Sequence, residues 1–253
     1  MVRGLYTSAL GMITHMQRMD VTTNNMANVN TTGYKRDHVV SHAFSDRLMT
    51  RLNDPGIRLF SEFPIGRINP GVFVDDVFTD WQQGAFQQTG NHLDVAISGQ
   101  GFFVVSMQGQ EENLYTRDGT FSLVGGVLLT KEGGRVQGQN GDITIPDGNI
   151  VIDENGRIFA NEEYIDTLLM TNFSDLHSLR KTKDNFFTTT DASEAIPFVG
   201  TLQQGFLEGS NINIVNEMVQ MITLSRAYET NARMITLTDQ TLQHAVNSIG
   251  SRT

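Results

Sequence analysis

Apolar positions recur with a helical period at both ends of the chain and with a shorter, strand-like one between them. Near the start, Leu5, Ala9, Met12, Met16, Met19, Thr23 and Met26 follow at alternating steps of four and three. Near the end, Met218, Met221, Ser225, Tyr228, Ala232, Ile235, Leu242, Val246 and Ile249 do the same, with Asp239 interrupting one seam position. A repeat averaging 3.5 residues is the spacing of a coiled-coil seam. All five prolines lie between Pro55 and Pro197, so neither end carries the strongest helix breaker.

The limits of these helices are also written in the chain. In Asn24–Arg36, "NNMANVNTTGYKR", Asn28 and Asn30 compete with the helix for backbone hydrogen bonds. Gly33 can take the left-handed conformation that closes a helix, so the first helix is expected to end there. Before the second pattern, Asn211 and Asn213 are candidate N-caps, and Glu217 suits the positive end of a helix.

The middle reads as short strands. "HLDVAISGQGFFVVSM" holds apolar runs split by Ser98–Gly101, and residues 113–160 are punctuated by Asp118-Gly119, Asn140-Gly141, Asp147-Gly148 and Asn155-Gly156. Asp-Gly and Asn-Gly supply the positive φ angles of tight hairpins. The expected class is therefore α+β, with N- and C-terminal helices forming a coiled-coil-like layer and a central antiparallel all-β domain. The expected division is an N-terminal axial helix over 1–33, a connector over 34–70, the β domain over 71–205 and a C-terminal axial helix over 206–253. Within the connector, "SHAFSDRLMTRL" is compatible with a short helical piece.

Composition narrows the function. A net charge of −10 supplies no basic field to displace the counterions of a nucleic acid, so no nucleic-acid partner is expected. The absence of cysteine excludes a disulfide scaffold, thiolate zinc sites and a thiol nucleophile. No apolar run reaches the roughly 18 residues of a membrane span, and the first 20 residues lack the apolar core of a cleaved signal. Neither membrane insertion nor a cleaved signal peptide is expected.

Candidate chemistry is sparse. His38 and His42, beside Asp37, would share one face of a helix, but no third ligand is placed and they read as surface histidines. Asp118, Asp142, Asp147, Asp153 and Glu154 offer carboxylates for a glycosidase pair, yet most flank Gly or Asn in turn dipeptides, where Asp serves the backbone. "SGQGFF" has neither a dinucleotide fingerprint nor a P-loop lysine, and reads as a strand bend. No catalytic residue, metal ligand or cofactor is assigned, and the chain is not expected to be an enzyme.

The terminal helices themselves are the candidate functional surface. Isolated helices are marginal in water, so an apolar stripe needs cover. Three arrangements provide it: packing on the chain's own β domain, a two-chain coiled coil, or self-assembly with neighbouring subunits. The expected assembly interface is Leu5, Ala9, Met12, Met16, Met19, Met26, Met218, Met221, Tyr228, Ala232, Ile235, Leu242, Val246 and Ile249.

Four stretches carry a family resemblance. "LYTSALGM" with "NNMANVNTTGYKR" resembles the N-terminal signature of the bacterial flagellar rod and hook axial proteins, with Ala27, Asn28, Asn30, Thr31, Gly33 and Tyr34 on its motif positions. "TGNHLDVAISGQGFFVV" and "YTRDGTFSL" resemble its central strands, and "LEGSNINIVNEMVQMITLSRAYETNARMI" its C-terminal signature. Within the family the chain is most similar to the distal or proximal rod subunits. The resemblance implies a structural subunit of the basal body, stacked helically into a hollow drive shaft that passes motor torque to the hook. It implies partners: copies of itself, other rod and hook subunits, the flagellar type III export apparatus, and ring proteins around the rod. It also implies export without a cleaved signal, an inner layer of terminal helices, and an exit turn at Thr31–Gly33 leading to an outer β layer. A hook or hook-junction subunit, and a cell-wall-directed hydrolase or carbohydrate-binding module, are the alternatives.

Overall fold

The computed structural model describes residues 2–50, 64–109, 112–146 and 148–250. The chain forms two compact units. One comprises Met1–Met26, Asp37–Phe78 and Ile214–Thr253; the other comprises Ala27–Arg36 and Thr79–Asn213. The expected α+β class holds: helices stand at the two ends of the chain, and the region between them is antiparallel β structure.

The first unit contains α1 (Val2–Ala27), β1 (Asp37–Ala43), β2 (Arg47–Thr50), β3 (Pro64–Ile68), β4 (Val72–Thr79) and α2 (Ile214–Gly250). β1 pairs with β4, and β2 pairs antiparallel with β3. The segment from Ser41 to Thr50 is thus extended, not the helical piece its composition allowed. Its β2 residues pair across a gap, Arg47 with Ile68 and Thr50 with Pro64, so local pattern carried little of the signal. Arg51 and Leu52 lie outside the described residues.

Side chains on α1 peg this ribbon along the helix. Thr7 Oγ1 donates to the Pro70 carbonyl at 3.4 Å and Thr14 Oγ1 to the Val72 carbonyl at 3.3 Å. Arg18 Nη2 donates to Ser41 Oγ at 2.9 Å, and Asn25 holds Asp37. β4 therefore begins beside the first half of α1, and β1 runs back against its second half. α2 meets α1 at Gly11, where an added Cβ would lie 2.8 Å from Asn231 Nδ2.

The second unit holds β5 (Phe86–Gln88), β6 (Val95–Gln100), β7 (Phe102–Ser106), β8 (Leu114–Thr116), β9 (Phe121–Val124), β10 (Val127–Thr130), β11 (Arg135–Gly138) and β12 (Gly141–Asp142). It continues through β13 (Ile150–Ile152), β14 (Arg157–Ala160), β15 (Glu163–Thr167), β16 (Met170–Phe173), β17 (Arg180–Lys181), β18 (Phe187–Thr188), β19 (Ala195–Pro197), β20 (Val199–Gln204) and β21 (Phe206–Glu208). β7 is the hub, pairing with β8, β11 and β16. Its "FFVVS" is buried on both faces, which a single half-solvated strand would not require. One core gathers Phe103, Leu128, Ile143, Ile158 and Leu202; a second gathers Phe102, Phe173 and Phe187 against Trp81. The return strands β20 and β21 pair with β6 and β5, so the last part of the β region closes on its first.

Candidate functional site

The helix faces divide into a covered stripe and an exposed one. On α2 the covered or half-covered positions include Glu217, Met221, Leu224, Tyr228, Asn231, Ile235, Thr238, Leu242 and Ala245, an unbroken alternation of four and three, with Ser225 and Ala227 half-buried beside them. Met221, Tyr228, Ile235 and Leu242 of the expected seam lie on this stripe. Ala232 is half-buried beside it, Met218 and Val246 are exposed, and the side chain of Ile249 lies outside the described residues. On α1, Leu5, Ala9, Met12, Met19 and Met26 are half-buried and Met16 is exposed. The residues that α1 buries most deeply are polar: Thr14, Thr22 and Asn25.

What stays exposed is strongly apolar. Val215, Met218, Val219 and Ile222 stand at the i, i+3, i+4, i+7 spacing of one helix face, and Val219 and Ile222 are 59% and 53% exposed. Leu237 and Val246 extend the exposed apolar surface along α2, and Tyr6 and Ile13 provide another on α1. Scattered surface apolar residues are ordinary, but a run of adjacent ones marks an interaction surface.

The exit motif has a different role from the helix stop expected of it. α1 ends at Ala27, six residues before Gly33, in a turn where the Thr31 amide donates to the Asn28 carbonyl at 3.1 Å. Thr31 Oγ1 adds a bond to Asn28 Oδ1. Gly33 does have a positive φ, +65°, but it uses it to lie on the β region. A Cβ there would come within 2.6 Å of the backbone at Arg117 and Asp118. The Gly33 amide donates to the Glu208 carbonyl at 2.7 Å, and Asn185 Nδ2 donates to the Thr32 carbonyl at 2.9 Å. Tyr34 is buried beneath the Lys181 ammonium, which sits 3.6 Å from its ring centroid. Ala27 and Asn30 are exposed, so the burial belongs to the second half of the motif.

Beneath this passage lies a buried charge triad that sequence reasoning did not find. Glu208 Oε1 accepts from Lys35 Nζ at 2.6 Å and from the Gly84 amide at 2.9 Å; Glu208 Oε2 accepts from Arg117 Nε at 3.0 Å. Lys35 Nζ also donates to the Gln82 carbonyl at 2.7 Å, and Arg117 Nη2 to the Gly99 carbonyl at 2.6 Å. The side chains of Lys35 and Glu208 are fully buried, and that of Arg117 is 3% exposed. Burial pushes the Lys35 amine below its ordinary pKa; Glu208 opposes that shift and Arg117 adds to it. Two cations share one carboxylate, so the triad holds an outgoing segment, a returning one and a central loop in a single register. The available signal was one charged member of the triad in each of the "GYKR", "YTRDG" and "LEGSN" stretches, with Arg36 beside Lys35 and Asp118 beside Arg117.

Asn211 is not an N-cap. α2 begins at Ile214, directly after Asn213. Asn211 Oδ1 accepts from the Arg36 amide at 2.8 Å, while its Nδ2 donates to the carbonyls of Asp80 and Gln82.

The groups weighed for catalysis are occupied otherwise. His38 and His42 lie on strand β1, where four residues span about 13 Å, too far apart to share a metal. No group of three or more metal-binding side chains occurs among the described residues. Asp118 accepts from the amide and hydroxyl of Thr120 as a turn residue. Hydrogen bonds from Gln137 and Arg135 hold Asp142 below the usual carboxylate range, and one from Arg157 does so for Asp153. A general acid needs the opposite shift. Asp147 lies outside the described residues.

Three family models match: "Flagella basal body rod protein" over residues 5–35, "Flagellar hook protein FlgE/F/G D1 domain" over 96–160, and "Flagellar basal body rod FlgEFG protein C-terminal" over 203–248. The first ends at the buried Lys35, the second contains Arg117 and the third contains Glu208. Flagellar basal-body rod protein FlgG of Agrobacterium fabrum is 34% identical over 257 residues, covering 94% of this chain and 96% of its own. The protein of that name from Caulobacter vibrioides is 32% identical over 262 residues, covering 96% and 97%. Flagellar basal-body rod protein FlgF of Caulobacter vibrioides is 31% identical over 257 residues, covering 99% of each.

Proposed function

The chain belongs to the family of flagellar basal-body rod and hook proteins, and from that membership we propose that it polymerises into the rod through the apolar faces of α1 and α2. It is a structural subunit of the basal body, and it interacts with other rod and hook subunits. The role that follows is mechanical: helices packed along an axis resist twist, and many small apolar contacts share the load without a chemical site. The supporting observation is the run Val215, Met218, Val219 and Ile222, four adjacent apolar side chains exposed on one helix face.

The expected seam residues Leu5, Ala9, Met12, Met16, Met19, Met26, Met218, Met221, Tyr228, Ala232, Ile235, Leu242, Val246 and Ile249 belong to the same proposal. Those half-buried within the subunit would brace the helices, and those exposed would meet neighbours. Copies of the chain itself, the flagellar type III export apparatus and ring proteins around the rod are further proposed partners, with export occurring without a cleaved signal. No helix among the described residues is long and apolar enough to cross a membrane.

A test places charge on the exposed face in the full chain. Val219→Glu with Ile222→Glu should leave the purified protein folded and its melting temperature within a few degrees, because exposed positions contribute little to the monomer. Cells carrying only that variant should lack rods and fail to swim. Normal rods and full motility would sink the proposal.

A further inference from the structure

The chain crosses between its two units at four places: after residues 26, 36, 78 and 213. Two asparagine side chains gather these crossings. On the first unit's side, Asn25 Oδ1 accepts from the Asp37 amide at 3.0 Å, and Asn25 Nδ2 donates to the Asp37 carbonyl at 2.7 Å. The carboxamide acts as a one-residue strand partner, and it is 1% exposed although it sits two residues from the end of α1. The crossings after 26 and 36 are thereby joined.

On the second unit's side, Asn211 Oδ1 accepts from the Arg36 amide at 2.8 Å, and Asn211 Nδ2 donates to the Asp80 carbonyl at 2.9 Å. The Asp80 amide closes the ring by donating to the Arg36 carbonyl at 2.7 Å. Residues 36, 80 and 211 each stand within three positions of a crossing, so the crossings after 36, 78 and 213 meet in one hydrogen-bonded node. Arg36 and Asp37 are adjacent in sequence, which links this node to the one at Asn25.

We propose that Asn25 and Asn211 are positioning residues: two clasps that tie all four crossings together, so that a pull on one strand is shared by the others. A carboxamide suits the task because it presents one acceptor and one donor in a plane, matching a backbone C=O and N–H. Aspartate would offer acceptors alone. The Glu208 triad lies directly behind the second clasp, since Lys35 precedes Arg36 and its ammonium holds the Gln82 carbonyl that Asn211 also contacts. The mechanical consequence, that load on one crossing strand is shared by the others, rests on the rod function proposed above; the clasps themselves do not.

The test uses full-length Asn25→Ala, Asn211→Ala and double variants. In dilute monomer, the Asp37 amide should exchange at least about tenfold faster in Asn25→Ala, and the Arg36 amide likewise in Asn211→Ala, each losing one hydrogen bond. The amides of Val104 and Val105 in β7 should keep wild-type protection. Asn211→Asp retains the acceptor, so its Arg36 amide should stay nearer wild type. Unchanged exchange at Arg36 and Asp37 overturns the clasps, as does lost protection throughout β7, which would make both residues parts of the general fold. These readings need no rod. In cells, the double variant should build basal bodies but slow more steeply than wild type as medium viscosity rises. Equal slowing, or absent basal bodies, overturns the mechanical part while leaving the exchange result to stand by itself.

Discussion

Replacing Glu208 by Gln removes the carboxylate that both Lys35 and Arg117 contact. Both cations are buried, so water cannot take over its part. Breaking a buried ion pair by deleting one partner costs about 3–5 kcal/mol, mostly because a charge is left uncompensated. Here two are left, and the Gln amide turns a donor toward one of them. Lys35→Met is the instructive contrast. It leaves Arg117 and Glu208 as a balanced pair with the Gly84 amide still bonded, and the Gln82 carbonyl keeps its bond from Asn211 Nδ2. What is lost is the ammonium's hydrogen bond to that carbonyl, and a bond from a charged group contributes about 1.5–3 kcal/mol. Glu208→Gln should therefore destabilise the β unit more than Lys35→Met, although both disrupt the same bond. Trp81, the only tryptophan, packs on Phe102 and Phe187 in that unit, so its fluorescence reports the transition during urea titration. A Lys35→Met loss equal to or larger than that of Glu208→Gln would refute the charge argument. The pH dependence has a definite sign. Lys35 has a lower pKa folded than unfolded, so the unfolded chain binds more protons between the two values. Its contribution to stability should rise with pH across that alkaline window, and Lys35→Met should flatten the slope.

Three backbone positions give further outcomes, each read by thermal unfolding. Gly33→Ala should cost more than about 3 kcal/mol, since a left-handed φ accounts for about 1–2 kcal/mol and the overlap with the Arg117–Asp118 backbone adds the rest. Gly90→Ala, at φ +71° with nothing within 4 Å, should show the conformational part alone. Glu162 sits at φ 72° in the two-residue turn between β14 and β15, beside Asn161 at φ 51°. Glycine is the residue such a turn prefers, so Glu162→Gly should stabilise the protein by about 0.5–1 kcal/mol.

The period of the helices was legible because it is written in every turn; the face was only half legible. Met221, Tyr228, Ile235 and Leu242 fall on the covered stripe of α2, but the positions alternating with them are Glu217, Leu224, Asn231 and Thr238. Three of those four are polar, so the heptad seam read from the sequence slides one place, onto Met218, Ser225 and Ala232. The apolar side chains left outside are the ones the proposed polymer needs. Gly33 was recognisable as a left-handed residue, but nothing local reveals that its hydrogen was needed against Arg117, 84 positions away. Strands β1 and β2 were hidden for the same reason, their partners lying in β4 and β3. The Glu208 triad and the asparagine clasps carry no periodicity; the triad and the Asn211 clasp each join residues from three separate stretches, the Asn25 clasp from two, and only the fold brings them together.

On the proposed function, neighbouring subunits cover the apolar faces of the terminal helices. Hydrogen exchange on the dilute monomer and on isolated rods measures that cover directly. The segments with no buried side chain among the described residues, α1 before Thr14 and α2 beyond Leu224, should gain the most protection in the rod, while β7 changes little. Equal protection of those segments in monomer and rod would show that one chain shelters its own helices, and would contradict the claim.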